Sequence, residues 1–177
     1  MVTTVSAALL SQFSVSDQFD HPIDWNALNA VPRVIVVAGK KAAPEAKAWG
    51  IFLQEHFNAK FVPGPRHLQS LDARERVKVV AVATLPEVPG VLRAFFRAGF
   101  RKESPHMGVG LDFASRLSRA LGYHAENPKP CLALFPANSL QIPAELFCGF
   151  KDDATLRSQV ESAVSKLLTP VPAPATK

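Results

Sequence analysis

Two short runs rich in β-branched residues most constrain what this chain can fold into. Arg33–Ala38 reads R-V-I-V-V-A, and Val77–Thr84 reads V-K-V-V-A-V-A-T. Apolar runs of this length are typical of strands buried on both faces. Between them, apolar residues recur at helical spacing from Ala43 to Phe57, and Pro44 lies in a first turn that tolerates proline. This order predicts two adjacent parallel strands joined by a crossover helix.

The rest of the chain adds helices and a hairpin to this unit. Pro86–Gly99 predicts a helix, and Met107–Leu111 predicts an edge strand followed by a helix over Asp112–Leu121. The apolar face expected for the helix from Pro86 consists of Val88, Val91, Leu92, Phe95 and Phe96. Cys131–Phe135 and Glu145–Phe150 predict adjacent strands, and a last helix begins near Asp152 or Asp153 and ends before Pro170. We therefore expect an α/β fold with a central mixed sheet built from a β-α-β half and a β-β-α half.

Length and composition favour one domain without a membrane span. The chain has 177 residues, of which 47% are hydrophobic, so residues 1–168 suffice for a single core. Residues 169–177, rich in Pro and Ala, predict a flexible tail. No apolar run approaches the roughly 18 residues of a spanning helix. Met1–Phe13 lacks the basic start of a signal peptide. The sequence is compatible with a cytoplasmic or a periplasmic location and does not determine the oligomeric state.

The net charge of +5 is concentrated in the middle of the chain, where residues 33–102 carry most of the basic excess. Nucleic-acid binding would require exposed aromatic residues among these charges or a reading helix, and the sequence offers neither. We expect no nucleic-acid partner.

Four segments together resemble the thioredoxin-like superfamily, in its redoxin or peroxiredoxin-type branch. They are Phe13–Phe19 (F-S-V-S-D-Q-F), the strand and helix over Arg33–Phe57, Leu111–Tyr123 (L-D-F-A-S-R-L-S-R-A-L-G-Y), and Asn127–Pro130 followed by C-L-A-L-F-P. The resemblance implies a three-layer thioredoxin-like fold over about residues 12–168. It also implies a cis peptide bond before Pro130.

One departure from this family bears directly on function. Redoxin chemistry uses a thiolate at the N-terminus of the first long helix, where the helix dipole makes the thiol nucleophilic. Residues 39–46 read G-K-K-A-A-P-E-A and contain no cysteine. The chain is in this respect similar to cysteine-less periplasmic thioredoxin-like proteins of bacteria, which implies a degenerate active site.

The two cysteines lie elsewhere, and their positions predict buried, inert thiols. Cys131 follows Pro130 at the start of an apolar strand, and Cys148 lies between Phe147 and Gly149. A turn at Pro136–Ser139 would leave the cysteines about four residues out of register, which is too far for a disulfide unless a bulge in the Pro143 region restores the register. A relocated reactive thiol at Cys131 is the alternative.

Other candidate sites are weaker. Lys40 and Lys41 precede a helix N-terminus and could hold a small anion. Arg93, Arg97 and Arg101 share one helix face, which predicts a solvated surface. The five histidines lack metal-ligand spacing, and no dinucleotide loop is present, so neither a metal nor a cofactor is predicted.

Two functional hypotheses remain from the sequence. The first is a non-catalytic module that binds a peptide or protein partner, with an expected binding surface of Gly39, Lys40, Lys41, Pro44, Pro130 and Cys131. The alternative is an unconventional thiol peroxidase or reductase in which Cys131 is catalytic.

Overall fold

A computed structural model describes residues 9–58, 68, 75–105, 107–141 and 145–169. Its strands are β1 (Ser16–Asp17), β2 (Arg33–Ala38), β3 (Lys78–Leu85), β4 (Val109–Phe113), β5 (Cys131–Phe135) and β6 (Glu145–Cys148). Its α-helices are α1 (Ala43–Phe57), α2 (Gly90–Glu103), α3 (Arg116–Ala120) and α4 (Ala154–Leu168). Apart from Thr169, the predicted tail lies outside the described residues. Within the described ranges, no helix is long and apolar enough to cross a membrane.

The strands form one mixed sheet in the order β1-β4-β3-β2-β5-β6. β2 and β3 are parallel neighbours in register from Arg33 opposite Lys78 to Ala38 opposite Ala83, which confirms the predicted unit. β4 continues the parallel part beside β3, whereas β5 and β6 add antiparallel strands on the other side of β2. The predicted mixed sheet is therefore confirmed.

Side chains alternate between two cores, one on each face of the sheet. On one face, Trp49 and Leu53 of α1 and Val160 and Val164 of α4 pack against β2 and β5. On the other face, the segment before β2 and the region of α3 cover the sheet, with Trp25, Leu28, Leu117, Tyr123 and Cys131 among the buried residues. These layers produce the α/β architecture expected from the sequence.

Two helices have the ends that the sequence indicates. α1 spans Ala43–Phe57, as predicted, with Pro44 in its first turn. α4 begins after Asp153, whose carboxylate accepts a hydrogen bond of 3.0 Å from the Leu156 N–H. Such an N-cap satisfies an amide that has no partner within the helix.

The helix predicted over Asp112–Leu121 begins later than expected. β4 continues to Phe113, and α3 covers only Arg116–Ala120. The Asp112 carboxylate accepts hydrogen bonds from the Leu117 and Ser118 amides at 3.3 and 2.7 Å, so it caps α3 from within the strand.

The orientation of α2 also differs from the prediction. Val91 and Phe95, expected in the apolar inner face, are 84% and 78% exposed. Arg93 and Arg97, expected on a solvated face, instead lie over the Phe113 ring at 5.0 and 5.7 Å. Cation–π contacts with this ring therefore attach α2 to the sheet through its basic face.

The prediction of the β5–β6 register is wrong. Cys131 lies directly opposite Cys148, with no offset. The chain does turn at Ala137–Asn138, where Asn138 has φ 58°, but this turn does not close the hairpin. Buried Arg33 donates hydrogen bonds to the Pro136 and Ser139 carbonyls on either side of the turn. β6 begins only at Glu145, after a longer connection. Burial of this guanidinium lowers the pKa of Arg33 to about 10.

Candidate functional site

The end of β2 and the start of β5 bring most of the predicted site residues to one end of the sheet. Val37 lies opposite Cys131, so the antiparallel register continues towards Gly39 on one strand and Lys129 on the other. Lys40 and Lys41 lie in a short 3-10 turn that leads into α1, and both are exposed. The first turn of α1 contains no cysteine.

One hydrogen bond and one close approach of the backbone fix Gly39 at this end of the sheet. Its N–H donates a hydrogen bond of 2.8 Å to the Tyr123 hydroxyl. A Cβ atom at this position would overlap the carbonyl oxygen of Ala125. Glycine is therefore required here by the close approach of the loop that precedes β5.

Tyr123 is a site residue that the sequence interpretation did not single out. Its side chain is fully buried, and its hydroxyl lies 3.4 Å from the Asn127 carbonyl in addition to its contact with Gly39. Burial raises the pKa of Tyr123, the hydrogen bond from Gly39 opposes this, and the charge of Glu126 adds to it. The only tyrosine of the chain thus joins the end of β2 to the loop before Pro130.

The central feature of the site is a disulfide between Cys131 and Cys148. The two Cα atoms are 4.0 Å apart, and the bond joins neighbouring strands. Cys131 is 1% exposed, whereas Cys148 on the outer strand is exposed. The prediction of two separate cysteines, offset in register, is therefore wrong, because the hairpin pairs them directly.

The strand ends hold this disulfide in place from both sides. The Gly149 N–H donates to the Pro130 carbonyl at 3.0 Å, and the Trp49 indole N–H donates to the Gly149 carbonyl at 3.0 Å. The Lys129 ammonium lies 5.4 Å from the centre of the Phe150 ring. The residues around the cysteines are thus fixed to both strands and to α1.

A separate polar cleft of about 290 Å3 opens beside the loop that contains Ala125. Glu87, Arg119 and His124 line part of it, and none of the predicted binding residues is among its lining residues. In the described part of the chain, no group of three or more His, Cys, Asp or Glu side chains is arranged to hold a metal ion. The cis bond expected before Pro130 stays a prediction.

The six-stranded mixed sheet, with α1 and α4 packed on one of its faces, is a thioredoxin-like fold. No family model matches the sequence, and no curated protein matches it. Solved structures show the likeness. DsbF of Mycobacterium tuberculosis is 16% identical and has a TM-score of 0.56, and the match covers 92% of this chain and 99% of that chain.

Two further structures match at similar levels. The exposed lipoprotein thioredoxin of Streptococcus pneumoniae is 12% identical with a TM-score of 0.54, covering 84% of this chain and 98% of the other. A thiol:disulfide interchange protein of the thioredoxin family from Chlorobium tepidum is 11% identical with a TM-score of 0.52, covering 89% and 93%. At these identities, the likeness establishes the fold.

The expectation of a non-catalytic module with inert thiols is wrong. It depended on two unlinked cysteines, and the structure joins them in a disulfide at the end of the sheet where the expected binding residues lie. The alternative, in which Cys131 takes part in thiol chemistry, agrees better with this arrangement.

Proposed function

We propose that this protein is a thiol–disulfide oxidoreductase whose redox centre is the Cys131–Cys148 pair. The observation that carries the proposal is the asymmetry of the pair, since Cys148 is exposed on an outer strand and Cys131 is buried beside it. Thiol–disulfide exchange requires one accessible sulfur for attack and a second within bonding distance to complete the cycle. The pair supplies both without a cysteine at the start of α1.

In the oxidising direction, a substrate thiolate attacks the Cys148 sulfur. A new disulfide forms between the substrate and Cys148, and the bond to Cys131 breaks, so Cys131 leaves as a thiolate with the electron pair. A second substrate thiolate then attacks the substrate sulfur of this mixed disulfide and releases Cys148. The substrate loses two electrons and becomes a disulfide, and the protein gains them as a dithiol.

In the reducing direction, the same steps run backwards. The Cys148 thiolate attacks a substrate disulfide, and Cys131 resolves the mixed disulfide from the neighbouring strand. Because Cys131 lies directly opposite Cys148, resolution requires no large movement of the backbone. Cys131 is thus the resolving residue, in contrast to the sequence-based alternative that made it the attacking thiol.

Lysines around the pair favour anionic substrates. Lys129 lies two residues before Cys131, and Lys40 and Lys41 follow β2 at the same end of the sheet. Clustered cations raise the local concentration of thiolates and of acidic protein segments. In this proposal, the expected peptide or protein partner is the redox substrate. A charged group of that substrate takes the place of the small anion expected at Lys40 and Lys41.

The proposed activity can be tested by insulin reduction in the presence of dithiothreitol. We compare the wild type with Cys131→Ala, Cys148→Ala and the double variant. We expect turnover only in the wild type, and we expect Cys131→Ala to accumulate a mixed disulfide through Cys148. Cys148→Ala should react with Ellman's reagent far more slowly than Cys131→Ala, because its remaining thiol is buried.

Equal activity in the wild type and the double variant would overturn the proposal. So would a wild-type disulfide that dithiothreitol reduces only after the chain unfolds, since that behaviour defines a structural cross-link. Urea denaturation of each variant confirms that it is folded under the assay conditions.

A further inference from the structure

Strand β6 lies at one edge of the sheet, and its register determines which backbone groups face outwards. The hydrogen bond from Gly149 to Pro130 makes these two residues a hydrogen-bonded pair. Hydrogen-bonded and non-hydrogen-bonded pairs alternate along an antiparallel ladder. Cys131 and Cys148 therefore form a non-hydrogen-bonded pair, and the N–H and C=O groups of Cys148 and Leu146 point away from β5. In the described ranges no strand lies beyond β6.

We propose that this edge binds the substrate, an extended polypeptide segment that pairs with β6 as an antiparallel strand and places its cysteine opposite Cys148. This inference rests on the proposed function and specifies its substrate class. The outward groups of Leu146 and Cys148 supply about four backbone hydrogen bonds to the added strand, which is β-strand addition. A small thiol has no extended backbone to form these hydrogen bonds, so the edge adds little to its affinity.

The ladder geometry places the reacting sulfur correctly. A residue opposite Cys148 on the added strand belongs to a hydrogen-bonded pair, in which Cα atoms are about 5.5 Å apart. That separation lies within the range of about 4.4–6.8 Å that a disulfide spans. Directly opposite residues carry their side chains on the same face, so the substrate cysteine projects to the face that holds Cys131 and Cys148.

The same arrangement orders three sulfurs across three strands. Three sulfurs then lie in a row perpendicular to the strands: the substrate sulfur on the added strand, the Cys148 sulfur on β6 and the Cys131 sulfur on β5. Displacement at a disulfide proceeds along the axis of the bond that breaks. The substrate thiolate forms its bond to Cys148 from the edge side, and Cys131 departs with the electron pair on the opposite side, so one disulfide replaces another.

The test uses Cys131→Ala, in which Cys148 is the only thiol because the chain has two cysteines. Three capped peptides rich in Val and Thr carry one central cysteine, activated as its mixed disulfide with thionitrobenzoate. The first is unmodified. The second is N-methylated two residues after the cysteine, at the amide that would bond to Leu146. The third, the matched control, is N-methylated one residue after the cysteine, at an amide that faces away from β6.

We expect the first and third peptides to react at similar rates, because outward-facing amides are not used. The second should react about tenfold more slowly, since it loses an edge hydrogen bond and places a methyl group against the strand. The release of thionitrobenzoate gives each rate. Ellman's reagent itself, which has no peptide backbone, reports the intrinsic reactivity of Cys148.

The outcomes separate the inference from the function on which it rests. Equal rates for all three peptides, with normal reactivity towards Ellman's reagent, would overturn the edge-binding inference and leave the redox proposal standing. A slower third peptide would overturn the proposed antiparallel register. If Ellman's reagent does not react with folded Cys131→Ala, both proposals are wrong.

Discussion

The Cys131–Cys148 disulfide should stabilise the fold by an amount that the structure allows us to calculate. The bond joins residues separated by 17 positions. A disulfide that closes a loop of this length lowers the conformational entropy of the unfolded chain. This raises the free energy of unfolding of the oxidised protein by about 3 kcal/mol relative to the reduced protein. With a urea slope of about 2 kcal/mol per M, the unfolding midpoint should fall by about 1.5 M on reduction.

Equilibrium urea denaturation of the oxidised and the dithiothreitol-reduced wild type measures this difference. The variant with both Cys131 and Cys148 replaced by Ala is the control, because its midpoint should not respond to the reductant. The same free-energy difference should shift the equilibrium between the Cys131–Cys148 disulfide and glutathione. A difference of about 3 kcal/mol makes the folded pair about 65 mV harder to reduce than the same pair in the unfolded chain.

Two results would refute this reasoning. Equal midpoints for the oxidised and reduced protein would show that the cross-link does not act through the unfolded state. A reduced form more stable than the oxidised form would show that the native fold opposes the bond, and the protein would then act as an oxidant.

Two other substitutions test the surroundings of the pair. Since the pKa of Tyr123 is raised, the unfolded chain loses the phenol proton first as the pH rises above about 10. Tyr123 should therefore lower stability as the pH rises in that range, whereas Arg33, whose pKa is lowered to about 10, acts in the opposite direction. Urea denaturation should show the wild type losing stability relative to Tyr123→Phe, because both proteins contain Arg33. Ultraviolet titration should find the sole tyrosine of the folded wild type ionising above its usual range, and ionisation at or below pH 10 would contradict the argument. Gly149 has φ 154°, and a Cβ there would overlap the Leu156 side chain. Gly149→Ala should therefore lower the free energy of unfolding, measured by urea denaturation, by about 1–3 kcal/mol. It should also weaken the hydrogen bonds of residue 149 to Pro130 and Trp49. Unchanged stability of Gly149→Ala would contradict this argument and would show that the Leu156 side chain moves aside.

The sequence alone determined those parts of the fold that depend on local pattern. β2 and β3 consist of apolar, β-branched residues that suit strands covered on both faces, and α1 has its proline in the first turn and apolar residues at helical spacing. The absence of a thiol before α1 is also a sequence property. These features depend on neighbouring residues, so the sequence by itself is sufficient to predict them.

The orientation of α2 was not predictable in this way. An amphipathic pattern indicates a helix but does not say which face the rest of the molecule can accommodate. Phe113 at the end of β4 attracts Arg93 and Arg97 by cation–π contacts, and Val91 and Phe95 face outwards as a result. That outcome depends on the position of a ring more than ten residues away in the chain.

The pairing of the two cysteines likewise came only from the tertiary structure. Local turn chemistry favoured a reversal at Pro136–Ser139, which would have separated Cys131 from Cys148. The chain does turn at Ala137–Asn138, where Arg33 of the neighbouring strand binds the Pro136 and Ser139 carbonyls, but β6 pairs with β5 only from Glu145 onwards. Register in a hairpin depends on the length of the connection, and the turn residues alone did not reveal that length. The residues of the redox centre are therefore visible in the sequence, but their bond is a property of the folded sheet.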